Sequence, residues 1–145
     1  DTLASAGNLA VRLSALGEHQ AARELAEDTL ARRRRILGDD HPDTLASAGN
    51  LAVRLSALGE HQAARELAED TLARRRRILG DDHPHALASA GNLAIDLSAL
   101  GEHQAARELA EDTLARMRRI LGDDHPDTRQ AEQLVSWIDE QSSLG

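Results

Sequence analysis

Residues 1–42 read DTLASAGNLAVRLSALGEHQAARELAEDTLARRRRILGDDHP, and residues 43–84 repeat them letter for letter. Residues 85–126 copy the string again with five changes: His85, Ala86, Ile95, Asp96 and Met117. Residues 127–145 begin a fourth copy with Asp127-Thr128 and then diverge. A period of this length marks a stacked-repeat architecture, in which one supersecondary unit recurs and each copy covers its neighbour.

The unit reads as two helices. Leu3, Ala6, Leu9, Ala10, Leu13 and Leu16 recur at three- and four-residue spacing and make one apolar stripe, the inward face of a helix A. Gly17 suits the left-handed position past its end. Ala22, Leu25, Ala26, Thr29, Leu30, Ile36 and Leu37 form the expected inward face of a helix B that stops at Gly38. Later breaks are expected at Gly59, Gly80, Gly101 and Gly122. The arginines at 32–35 fall in the last turns of helix B, where the helix dipole favours cations. Pro42 fits the first position of the next helix, where a missing N–H does no harm. Such a hairpin has apolar residues on more faces than one partner helix covers, so neighbouring copies must stack.

The expected fold is therefore all-α, a solenoid of three antiparallel helix hairpins (1–42, 43–84, 85–126) with a capping helix over 127–145. In that last segment Ala131, Leu134, Val135 and Ile138 form a single apolar stripe, while Arg129, Glu132, Gln133, Ser136, Asp139 and Glu140 are polar. One face would bury the last repeat and the other would meet water. Trp137 lies beside the stripe, either completing the cap or reaching the end of the groove. Met117 replaces an arginine in the third copy alone, which points to a different neighbour there.

Composition agrees. Leu and Ala supply most apolar side chains, Phe and Tyr are absent, and Trp137 is the one large aromatic residue, a mixture suited to helices and poor for strands. Cysteine is absent, so disulfides and thiolate metal sites are excluded. No apolar run is long enough to cross a bilayer and no signal peptide is present, so no membrane partner and a cytoplasmic location are expected. The net charge of -8 disfavours nucleic acid as a partner. The chain opens on Asp1 inside a repeat, as a piece of a longer protein would.

The pattern resembles the tetratricopeptide repeat, in the 42-residue form found in kinesin light chains and in many bacterial regulatory proteins. The resemblance rests on Asn8-Leu9-Ala10 with Leu13, on Gly17 and Ala22, and on the closing Leu37-Gly38-Asp39-Asp40-His41-Pro42. It implies a right-handed superhelix and a concave groove lined by the A helices that binds an extended peptide or a partner helix. The shorter form of the repeat commonly carries large aromatic side chains where this chain has Ala6, Leu13 and Ala26. By the same resemblance, the groove-facing positions are Ala4, Gly7, Val11, Ser14 and Ala15 with their equivalents, among them Val53 and Ile95. Asn8, Asn50 and Asn92 stand where family members hold a ligand's main chain. An amide side chain donates and accepts at once, which suits a peptide bond. The competing role for these asparagines is to tie a helix to its neighbour. The basic positions of the family's carboxylate clamp fall on Gly7 and Ala4, so acidic chaperone tails are not the expected ligand.

Other chemistries find little support. Asp28 and Asp70 precede Arg32 and Arg74 by four residues, the spacing of helical ion pairs, so the arginine runs read as a solvated face. His41, His83 and His125 recur along the chain and do not converge as metal ligands must. Identical copies would give three equivalent Ser/His/Asp sets and no unique pocket, so no catalytic residue, metal or cofactor is expected. The leading function is a protein-interaction scaffold. The alternative is a structural or regulatory arm of a larger protein, one with a nucleotide-switch domain among the candidates. An uncovered first hairpin would expose Leu3, Leu9, Ala10 and Leu13, which an end-to-end homodimer would bury.

Overall fold

The computed structural model describes residues 18–144. Six helices run through them: α1 (His19–Leu37), α2 (Pro42–Ala57), α3 (His61–Leu79), α4 (Pro84–Ala99), α5 (His103–Leu121) and α6 (Pro126–Leu144). Among the described residues there is no strand. The expected first helix A, with Asn8, Val11 and the proposed homodimer surface at Leu3, Leu9, Ala10 and Leu13, lies outside the described residues.

The helices end where backbone chemistry ends them. Gly38, Gly59, Gly80, Gly101 and Gly122 all have positive φ, between +81° and +97°, which a side chain would strain. At the end of α2 the N–H of Glu60 reaches back to the Leu55 carbonyl and Gly59 to Ser56, closing two carbonyls the helix leaves open. Helix starts use a device the sequence reading missed. The Nδ1 of His41, His83 and His125 accepts the backbone N–H two residues on, at 3.0, 3.1 and 3.1 Å. Each imidazole thus satisfies one orphan donor of the first turn, just before the helix-starting proline.

The chain forms two compact units, Asp1–Leu67 and Ala68–Gly145. In the first, α1 packs on α2. Its core gathers Leu30, Ala48, Leu51, Leu55 and Ala64, with Ala26 and Leu67 partly buried against them. The small Ala48 and Ala64 let the leucines of facing helices meet. Arg23 bonds both Glu27, one turn along α1, and Glu60 in the turn between α2 and α3. Those two carboxylates raise the Arg23 pKa, the Glu27 hydrogen bond most strongly.

In the second unit α4 packs on α5, α5 on α6, and α4 also touches α6. Leu87, Ala90, Leu93, Ala94 and Leu97 of α4 are buried, as are Ala106, Ala110 and Leu114 of α5 and Ala131 and Ile138 of α6. Leu134 and Val135, the rest of the expected stripe on α6, are half-buried. A shift of 42 residues explains the polar side of this helix. Leu87 and Ala94 are buried in α4, whereas their counterparts Arg129 and Ser136 in α6 are exposed.

Two expectations need correction. Ile36 and Leu37, placed on the inward face of helix B, are 64 % and 37 % exposed. They sit in the final turn of α1, beyond the buried stretch that ends at Leu30, so the apolar period outlasts the packing. Ser98, expected in the groove, is buried, and Ser56 is only half-exposed. The tight glycine turn folds the next helix back over this position, where Ser56 Oγ lies 3.5 Å from His61 Nδ1.

Candidate functional site

Helix α2 buries Thr44, Leu45, Ser47, Ala48, Leu51, Ala52 and Leu55. What remains turns outward as a stripe at helical spacing: Ala46, Asn50, Val53 and Ala57, all exposed. Helix α4 repeats it with Ala88, Asn92, Ile95 and Ala99. Val53 and Ile95 are 49 % and 37 % exposed, large for branched apolar side chains. Each stripe therefore sets an amide next to an aliphatic side chain. Gly49 and Gly91 lie deeper, half-buried. The Asn8 and Val11 positions are outside the described residues.

In the second unit the stripe of α4 opens onto a groove of about 470 Å³. Its walls are α4, through Leu87, Asn92 and Ile95, and α6, through Gln130 and Leu134. Met117, Ile120 and Leu121 of α5 supply apolar surface between them. The exposed end of helix B, which looked like core in sequence, thus has a place here as lining. Trp137 is not among the lining residues. It borders a separate shallow hollow on α6, 37 % exposed, with Arg129, Gln133 and Glu140.

The arginine runs divide in a way that spacing alone did not reveal. Arg32 and Arg74 pair with Asp28 and Asp70 at 3.0 and 2.9 Å, as their spacing requires. Their neighbours Arg33 and Arg75 are half-buried instead of solvated. Arg33 Nη1 donates to Ser47 Oγ at 2.8 Å and to the Asp43 carbonyl at 3.1 Å, bolting α1 to α2. Arg75 does the same between α3 and α4, with Ser89 Oγ at 2.9 Å and the His85 carbonyl at 3.4 Å. Burial lowers the Arg75 pKa.

At the rim of the groove Asp82 binds Arg119 through both carboxylate oxygens, each at 2.9 Å, and accepts from Arg116 at 2.9 Å. The Arg116 bond leads in holding the Asp82 pKa below its ordinary value, and Arg119 adds to it. Arg116 is in turn raised, first by its bond to Asp112 and then by Asp82. Asp127, in the first turn of α6, is the second acid of the rim. Among the described residues no three His, Asp or Glu side chains group as a metal would need. Nor is any described helix long and apolar enough to cross a membrane.

Comparison with known proteins places this architecture. A family model described as tetratricopeptide repeat matches residues 2–43, 44–85 and 86–127 in tandem. Among solved structures, a single-residue variant of a kinesin light chain-like protein of Podosopora anserina, with nearly identical TPR-like repeats, superposes with a TM-score of 0.87 at 34 % identity. That match covers 98 % of this chain and 67 % of the other. A second structure of the Podosopora anserina protein gives 0.84 at the same identity and coverage. BtubC (BKLC) from P. vanneervenii shares the fold at a TM-score of 0.85 and 17 % identity, over 97 % of this chain and 56 % of its own. No curated protein matches the sequence. With three matched repeats spanning most of its length, the chain belongs to the tetratricopeptide repeat family.

Proposed function

We propose that this chain is a protein-interaction scaffold that holds peptide segments on the exposed faces of its A helices. Repeats of this family generally serve that role, and the fold is of a non-catalytic scaffold type. The observation that carries the reading is the paired stripe: Asn50 with Val53 on α2, and Asn92 with Ile95 on α4. Both amides are exposed. The amide would hold a ligand's main chain while the aliphatic neighbour covers one of its side chains. Exposed branched aliphatics gain by such cover, at roughly 25 cal/mol for each Å² removed from water.

A screen of the chain on an array of short peptides tests this directly. Selected peptides should lose about tenfold in affinity when Asn50→Ala and Asn92→Ala are combined, the equivalent of one or two hydrogen bonds. Circular dichroism should stay unchanged, because both side chains are exposed. An array without hits, or hits indifferent to both substitutions and to Val53→Glu, would sink the reading.

A further inference from the structure

The three places where a helix B meets the next helix A are not chemically alike. Where α1 meets α2, and again where α3 meets α4, an arginine crosses to a serine and a main-chain carbonyl: Arg33 to Ser47 and Asp43, Arg75 to Ser89 and His85. Where α5 meets α6, both members of the pair are changed together. The arginine is Met117 and the serine, 42 residues beyond Ser89, is Ala131. The outward asparagine of the A helix is altered as well, to Leu134. Losing the arginine alone would strand a buried serine hydroxyl, and losing the serine alone would leave a half-buried guanidinium with the carbonyl only, so a paired replacement is what an apolar junction requires. All three substituted residues line the 470 Å³ groove.

The exchange also changes the charge. At the first two junctions a guanidinium occupies this position. At the third none does, and the charged side chains of the lining are both acidic, Asp82 and Asp127. Asp82 is already neutralised by Arg116 and Arg119. Asp127, with its side chain 59 % exposed, has His125 Nδ1 4.0 Å from its carboxylate but no arginine or lysine, and is the acid left to set the sign of the rim. Its own carbonyl is the counterpart of the Asp43 and His85 carbonyls that Arg33 and Arg75 reach.

We propose that this groove takes an apolar peptide segment carrying one basic side chain. Its aliphatic side chains cover Met117, Ile120 and Leu134, and its cation meets Asp127 where the chain's own arginines stand in the preceding repeats. This deepens the scaffold reading and rests on it, by assigning one groove a ligand chemistry. The volume falls in the ordinary range for ligand pockets, a few hundred Å³. An acidic segment would bring its charge against Asp127 and find no arginine or lysine in the lining to receive it.

The test uses two fluorescein-labelled nonapeptides of leucine and alanine, one with a central arginine and one with glutamate there, read by fluorescence polarisation. The arginine peptide should bind about fivefold tighter at low salt, as an exposed ion pair set against a like-charge contact allows. The preference should narrow with added salt and disappear in Asp127→Asn. Met117→Arg combined with Ala131→Ser rebuilds the internal latch and should abolish binding. Ala88→Trp, at an exposed lining position that folding does not need, should do the same with helicity intact. Equal affinity for the two peptides, both lost in Ala88→Trp, would overturn the cation assignment and leave the scaffold standing. Binding that survives both groove-filling variants and is lost in Val53→Glu would overturn the groove assignment. If neither nonapeptide binds while array peptides do, this inference falls alone; a blank array removes the scaffold reading beneath it.

Discussion

The junction of α3 with α4 and the junction of α5 with α6 are built from the same repeat yet stabilised differently. At the first, Arg75 spans the gap and is satisfied by Ser89 and a carbonyl. At the second, Met117, Ala131 and Leu134 present apolar surface to an open groove. Buried leucines and alanines, which hardly vary among the three full repeats, set the scaffold of the first, while α6 brings Ala131 and Ile138 to the second. The exchange of Arg75, Ser89 and Asn92 for Met117, Ala131 and Leu134 alters the seam beside that core, where a side chain can either fasten the protein to itself or leave room for something else. Stability and binding are thus carried by separate layers of one hairpin.

The largest test of that separation lies in the core. Leu51, 6 % exposed, packs among Leu30, Ala48, Leu55 and Ala64. Leu51→Ala should cost about 2–5 kcal/mol in chemical denaturation, the usual sum of lost transfer energy and residual cavity. Leu134→Ala, half-buried in the groove wall, should cost markedly less. Equal losses at the two positions would mean that the groove layer is core after all. A shift below about half a kcal/mol at Leu51 would mean that the burial of α2 is wrong.

A smaller effect sharpens the comparison at the latch. Arg75→Met and Ser89→Ala should each destabilise by about 1–2 kcal/mol, and the double variant should fall well short of their sum, since each single change strands the other's partner. The coupling expected is about 1 kcal/mol. Full additivity in a double-mutant cycle would show that the 2.9 Å bond contributes nothing to folding. The double variant reproduces two of the changes found at the third junction, so near-neutrality there would explain how that junction became apolar.

The repeat, the helix breaks and the helix starts were legible because they depend on residues close in sequence. Glycine needs a positive φ, and proline needs a first-turn position. The inward face was legible as far as packing followed the helical period, and it failed at Ile36 and Leu37, where the period continues but cover does not. Arg33 and Arg75 were missed because their partners lie 14 residues away, on the next helix, and nothing in an arginine run distinguishes the latching member from its neighbours. The histidine caps were hidden for a related reason: an Asp-His-Pro string does not reveal which nitrogen faces the backbone. Met117 did give a signal, being the one apolar intruder in a basic run. Only the structure showed that Ala131 had changed with it.

The smallest effect expected concerns the rim of the groove and depends on pH. Asp82 is solvent-facing and held by Arg116 and Arg119, which depress its pKa below the ordinary 3.8. A carboxyl whose folded-state pKa is lowered contributes stability that is fully present above the unfolded value and is lost as pH falls through the folded one. Asp82→Asn should therefore melt slightly below the parent chain at neutral pH, and the gap should close as the pH is taken below about 3.8. Screening by salt should shrink it as well, because the pair is exposed. If the gap persists unchanged in acid, the carboxylate charge is not what Asp82 contributes, and the contact is one of shape. Should Asp82→Asn leave melting unaltered but strengthen binding of the glutamate peptide, the pair with Arg116 and Arg119 would belong to the rim's selectivity and not to the fold.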